Sequence, residues 1–183
     1  MNIRVALVVT LLAFCVQSHY ALGAEGLAPD LQAKVDTQIK AIQGWAGDPV
    51  IVNAVKAQNA SLSADATSMT QDKWKDLSKL DPFVRSLDKN PAGEFLKGKR
   101  SEAIIRAFLS DAAGLKVAIT TKTLGWSHKG DSKHEVPMAG KTWQGVVEQD
   151  KATGLEQIQV AVPVFDGDKA IGSLVVGLNV SKL

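Results

Sequence analysis

The sequence predicts an α+β domain: a run of helices followed by an antiparallel sheet. Three observations carry this. Apolar residues in the N-terminal half recur every three or four positions, the helical period, whereas in the C-terminal half they recur every second position, the strand period. Short polar residues followed by proline, at Asp48-Pro49, Asp81-Pro82 and Asn90-Pro91, mark successive helix starts, because the polar side chain caps free N–H groups and proline fits the first helical position. The run Gln157–Leu183 is two β-rich stretches about Asp166-Gly167-Asp168, a hairpin signal.

The chain of 183 residues opens on a targeting pattern. Arg4 supplies a positive start, Val5–Val16 an apolar run short for a bilayer, and Ala21-Leu22-Gly23-Ala24 the small residues a signal peptidase needs. Residues 1–24 are therefore expected to be a cleaved secretory signal peptide, with an uncleaved anchor as the alternative. The single cysteine, Cys15, lies in this run, so the mature chain would carry no thiol and need no disulfide in a periplasmic or secreted setting. Residues 25–183 then form one domain, helical over 25–100 and sheet over 101–183. No second apolar run reaches spanning length, so no transmembrane segment is expected in the mature chain. Basic and acidic residues are well mixed with a formal net charge of +2, which gives no nucleic-acid footprint.

Pro29-Asp30 starts the first helix, with Leu31, Val35, Ile39 and Ile42 on one face, and Gly44–Pro49 is read as its interruption. Asp48 caps a second helix bearing Val50, Ile51, Ala54 and Val55. Helices follow over Gln71–Lys79 with Trp74 and Leu77, from Pro82 with Phe83, Val84 and Leu87, and from Pro91 with Phe95 and Leu96. The sheet begins at Ala103–Ser110, with Ile105, Ala107 and Leu109 facing one way and Ile104, Arg106 and Phe108 the other. A second strand has Leu115, Val117, Ile119 and Thr121 in alternation. The polar stretch from Lys122 to Lys141, at about 20 residues, is long for a loop; such loops are functional or contain a short helix. Trp143–Gln149 is a third strand. In the hairpin, Ile158, Val160, Val162 and Val164 share a face, and Gly172 and Gly177 allow curvature or close backbone approach.

The combination Trp45-Ala46-Gly47-Asp48-Pro49, Ala57-Gln58-Asn59, Asp111-Ala112-Ala113-Gly114-Leu115-Lys116-Val117-Ala118-Ile119-Thr120, Val162-Pro163-Val164-Phe165-Asp166 and Ile171-Gly172-Ser173-Leu174 resembles the Cache family of PAS-like extracytoplasmic sensor domains, over nearly the whole mature chain. In the long loop, Trp126, Gly130 and Asp131 align with a pattern of related sensors, with an extra residue or two between them. The resemblance implies an N-terminal helix packed on about five antiparallel strands, a ligand pocket on the opposite face under the long loop, and sensing rather than catalysis. It also implies a free-standing form, since the usual membrane helix and signalling module are missing.

The candidate ligand-binding residues are Arg106, Thr120, Trp126, Asp131 and Trp143. Arg106, between Ile104 and Phe108, must reach solvent, pair with an acid or meet an anionic ligand. Lys116, Thr120 and Lys122 form either a polar outer face or a pocket floor. Trp126 and Asp131 stand in the loop as an aromatic plate and a charge, or as loop residues tucked against the sheet and solvated; Trp143 opens a strand and either reaches the pocket or packs in the core. His128, Asp131 and His134 are ligand types a metal accepts, but their spacing matches no established motif, so neither metal nor cofactor is expected. No nucleophile elbow, phosphate-binding glycine loop or zinc-protease motif is present, and an enzyme is not expected. The expected function is a periplasmic small-molecule sensor that relays ligand state to a membrane receptor or sensor kinase. The alternative is an accessory protein-interaction module with a closed pocket.

Overall fold

The computed structural model describes residues 26–150 and 153–183; the leader expected at 1–24 lies outside them. Six helices precede the sheet: α1 (Pro29–Ala46), α2 (Pro49–Ala60), α3 (Ala64–Ser68), α4 (Gln71–Asp76), α5 (Pro82–Lys89) and α6 (Pro91–Lys97). Strands β1 (Ile104–Asp111), β2 (Lys116–Ile119), β3 (Trp143–Gln149), β4 (Glu156–Asp166) and β5 (Lys169–Asn179) follow, with α7 (Ser132–Met138) inside the long polar stretch. All strand pairs are antiparallel, in the order β2-β1-β5-β4-β3. The α+β class and the five-stranded antiparallel sheet are as expected. No described helix is long and apolar enough to cross a membrane.

The proline-marked starts form as read. Asp48 accepts the Val50 N–H at 2.9 Å, Asp81 that of Phe83 at 2.8 Å and Asn90 that of Gly93 at 2.8 Å. Each cap satisfies an N–H with no partner inside its helix. Asp48→Ala is expected to lower stability by about 1 kcal/mol, read by urea unfolding; an unchanged midpoint would show that the cap is redundant. The first helix does not break at Gly44 as expected. It runs through Trp45 to Ala46, because one glycine costs only about 1 kcal/mol and Trp45 and Ala46 pack on the core.

The sheet separates two apolar clusters. On one face, Val35 and Ile42 of α1, Ile51 and Val55 of α2 and Ala92 and Leu96 of α6 meet Ala107, Leu109, Ile158, Val160, Val162, Val164, Leu174 and Val176. Ile158, Val160, Val162 and Val164 therefore do share one buried face. On the other face, Ala66, Trp74, Val84 and Leu87 from α3, α4 and α5 meet Phe108, Ile119, Ala161, Val175 and Trp126. Ile104 departs from the expected alternation. The register shifts between Ile104 and Arg106, so Ile104 joins the helix-covered cluster while Arg106 and Phe108 keep the opposite side.

Gly172 lets α2 approach the sheet closely. A Cβ there would lie 2.3 Å from the Ser110 carbonyl oxygen and 2.8 Å from Val55 Cγ1. At Gly177 a Cβ would stand 2.7 Å from Gln157 Oε1 and 3.1 Å from Arg106 Cγ, so that glycine makes room for two polar side chains on the second face.

Candidate functional site

The second face is only partly covered. Helices α3 to α5 close it at the β1–β2 side, α7 packs on β3, β4 and β5, and between them lies a cleft of about 260 Å³. Its floor is Arg106 and Phe108 of β1 with Gln157 and Gln159 of β4. The loop Thr123–Gly125 and His128 form one wall, Lys133 of α7 another, and Glu148–Asp150 at the end of β3 a third.

Two residues of α4 hold the loop in place. Gln71 donates through Nε2 to the Leu124 carbonyl at 2.9 Å and accepts the Trp126 N–H at 2.8 Å. Trp74 donates its indole N–H to the Thr123 carbonyl at 2.8 Å. Behind the loop, Trp74, Phe83 and Trp126 form one aromatic cluster, with Trp126 centroids 5.4 Å from each of the other two. These edge and tilted arrangements suit the ring quadrupoles.

His128 is 7% exposed and stacks on Phe108 with centroids 4.6 Å apart. Its Nδ1 lies 2.8 Å from Asp131 Oδ2. A carboxylate only accepts, so Nδ1 carries the proton, and Nε2 of the neutral ring is left as an acceptor. Burial holds the His128 pKa down to about 4, with the nearby Lys116 and Lys133 adding to the depression and Asp131 opposing it. Lys116 Nζ also lies over the Phe108 ring, 4.0 Å from the centroid. Lys116 is fully buried without a hydrogen-bond partner among the described residues, and its pKa lies well below the usual lysine value, first through burial and then through Lys133. Phe108 is thus contacted by both His128 and Lys116.

A pH effect follows. The unfolded chain protonates His128 near 6.5, while the folded chain resists until about 4. As pH falls through this window the unfolded state takes up a proton that the folded state does not, and stability drops. Urea unfolding between pH 7 and 4 is expected to show this loss, and His128→Gln is expected to flatten it; equal slopes in both proteins would contradict the assignment.

The cleft gathers polar atoms with nothing to bind. His128 Nε2, Gln157 Oε1 and Arg106 Nε are all buried, lack a hydrogen-bond partner among the described residues and belong to residues lining it. Around them, Lys133 donates to Gln159 Oε1 at 3.3 Å, and Glu148 accepts from Gln157 and Gln159 at 3.2 and 2.8 Å. Arg106 pairs with Asp150, which also accepts from Thr153 Oγ1 at 2.6 Å. The lining charges, Arg106 and Lys133 against Glu148 and Asp150, balance.

The five residues singled out from sequence are placed as follows. Arg106 lines the cleft. Thr120 is buried, bonded through Oγ1 to the Ala107 N–H at 2.9 Å, and lines an adjoining cavity. Trp126, 3% exposed, stands in the aromatic cluster behind the loop. Asp131 fixes the His128 ring. Trp143 is half-buried against the second-face cluster. Sequence reasoning missed Gln157, Gln159 and Gln71. The two β4 glutamines carried a signal, since they alternate with buried valine and isoleucine and so share the second face with Arg106; Gln71 carried none. His134 Nδ1 is bonded to Ser173 Oγ at 2.8 Å, and the described residues contain no group of three or more His, Cys, Asp or Glu side chains that could hold a metal.

No family model and no curated protein matches the sequence. In structure the chain is similar to the ligand-binding domain of the Pseudomonas aeruginosa amino-acid chemoreceptor PctC in complex with GABA, at 13% identity over 84% of this chain and 56% of that one, with a TM-score of 0.47. It is similar to the sensor domain of the V. cholerae histidine kinase DctB, at 16% identity over 83% and 58%, TM-score 0.41. It is also similar to the ligand-binding domain of the Pseudomonas fluorescens chemoreceptor CtaA in complex with L-serine, at 15% identity over 83% and 54%, TM-score 0.47. The chain thus spans little more than half the length of these three, and the similarity assigns no residue a role.

Proposed function

We propose that this chain is a Cache-like sensor domain that binds a small polar molecule in the second-face cleft and passes its ligand state to a membrane receptor or sensor kinase from the periplasm, after removal of residues 1–24. The observation that supports it is that three residues lining one cleft, His128, Gln157 and Arg106, each carry a buried polar atom (Nε2, Oε1 and Nε) without a hydrogen-bond partner among the described residues. Leaving such atoms dry costs about 1–3 kcal/mol each, which a bound molecule or ordered water recovers. The complementary ligand carries donors for His128 and Gln157 and an acceptor for Arg106. Because the lining charges balance, it is uncharged or zwitterionic. In this reading Arg106 touches the ligand, Asp131 sets the His128 tautomer, Trp126 and Trp143 support the walls from behind, and Thr120 serves the adjoining cavity. The chemistry is binding, not catalysis.

Thermal unfolding of residues 25–183 tests this. The panel holds amino acids, including the GABA and L-serine bound by the similar domains, together with amides, polyols, carboxylates, amines and purines. A ligand of the folded state raises the melting temperature with concentration, by the equivalent of about 2.7 kcal/mol at 100 times Kd. The expected hit is neutral or zwitterionic and is lost in Gln157→Leu and His128→Leu. A panel without a hit moves the assignment to an interaction module with an unused cleft.

A further inference from the structure

Beyond the cleft, the molecule has a second polar cavity, and its charge is of a different kind. It is about 580 Å³ and opens where the α4–α5 connection, the α6–β1 connection at Arg100 and the end of β2 meet. Lys79, Arg100, Arg106 and Lys122 line it against one carboxylate, Asp150. Hydroxyl side chains fill the spaces between them: Ser78, Thr120, Thr121, Thr123 and Thr153. The whole chain carries a formal charge of only +2, so this imbalance is local and does not reflect a basic protein.

Asp150 is engaged by Arg106 and by Thr153. Lys79, Arg100 and Lys122 form no ion pair with any described acidic residue. Lys122 Nζ lies over the Trp74 ring, 5.1 Å from the centroid. Basic side chains without an acidic partner, gathered in a concave site, are the chemistry that binds oxyanions.

We propose that this cavity is a binding site for a small multivalent oxyanion, a phosphate-bearing or polycarboxylate molecule, separate from the balanced cleft and divided from it by Arg106, Thr123, Leu124 and Asp150, which line both. A single negative charge would leave most of the cationic excess unmatched; a ligand of charge about −3 matches the difference between four basic groups and one acid. Volume agrees: 580 Å³ is more than twice the neighbouring cleft and falls in the usual range of roughly 300–1,000 Å³ for ligand sites.

Isothermal titration of residues 25–183, which contain every element described above, tests the site with pyrophosphate and citrate as probes and glycerol as the uncharged control. At 20 mM NaCl at least one anion is expected to bind while glycerol does not. Its Kd is expected to rise at least tenfold at 200 mM NaCl, since screening weakens partly exposed charge pairs. Arg100→Ala with Lys122→Ala is expected to weaken binding at least tenfold, and His128→Leu to leave it unchanged. Pyrophosphate alone, or citrate alone, identifies which oxyanion class fits. No binding by either probe, or binding untouched by the double substitution, overturns the proposal. Because Arg100 and Lys122 do not line the cleft, and His128 and Gln157 do not line this cavity, failure here leaves the sensor reading standing, and the reverse holds too.

Discussion

Trp74→Ala is expected to lower stability by about 3–5 kcal/mol, the largest single effect in the molecule. The side chain is fully buried on a helix of only six residues, Gln71–Asp76, which cannot hold itself together by propensity. Removing the indole empties the centre of the cluster with Phe83 and Trp126 and strips the Thr123 carbonyl of its donor. For a domain of this size each kcal/mol moves the melting temperature by about 2–4 °C, so a fall on the order of 10 °C is expected. Trp74→Phe separates the contributions: it keeps most of the packing and loses the N–H, with an expected cost of about 1–2 kcal/mol. Hydrogen exchange around Thr123–His128 should accelerate in the alanine variant, because α4 is what fastens that loop. A small loss with unchanged loop protection would show that Gln71 alone does the fastening.

Lys116→Met is expected to act in the opposite direction and raise stability by about 1–3 kcal/mol. Folding removes the amine from water and offers it no hydrogen bond, only the Phe108 ring. The sign of its pH dependence follows from the depressed pKa. Below the ordinary value of 10.5 the unfolded chain binds a proton that the folded chain gives up, so the penalty opens as pH falls from 10.5 and is complete below the folded value. Methionine has similar length and no charge to lose. Urea unfolding at pH 7 and pH 10 should show the variant's advantage shrinking at the higher pH. A destabilised variant would mean that the amine stays protonated and the ring contact holds it.

What the sequence showed depended on how local the deciding force was. The starts at Asp48-Pro49, Asp81-Pro82 and Asn90-Pro91 were legible because cap and proline act within three residues. Strand Trp143–Gln149 and the closing hairpin were legible from alternation and from the turn at Gly167, whose φ of 59° suits glycine. Helix Ala64–Ser68 was not, since its only apolar anchor of note is Ala66 and its cap, Ser63, resembles any loop serine. Lys116 read as part of a polar outer face or of a pocket floor. It is buried because the register shifts between Leu109 and Ser110 and because the long loop returns over it, and neither event is written near Lys116. The site divides in the same way. Arg106 was visible as a cation in an apolar alternation, while the meeting of His128 with Gln157 is set by the fold of the loop.

The alternation along β4 has a mechanical meaning. Gln157 and Gln159 look into the cleft, whereas Ile158 and Val160, their immediate chain neighbours, press on the cluster that seats α1. The sheet is a partition one peptide thick between a wet chamber and a packed helix. Under the proposed function, a ligand that draws the two glutamines inward would act on the same backbone that carries the isoleucine and valine. Under the proposed sensor function, ligand state would need no relay of side chains through the interior, because the wall itself is shared by both rooms.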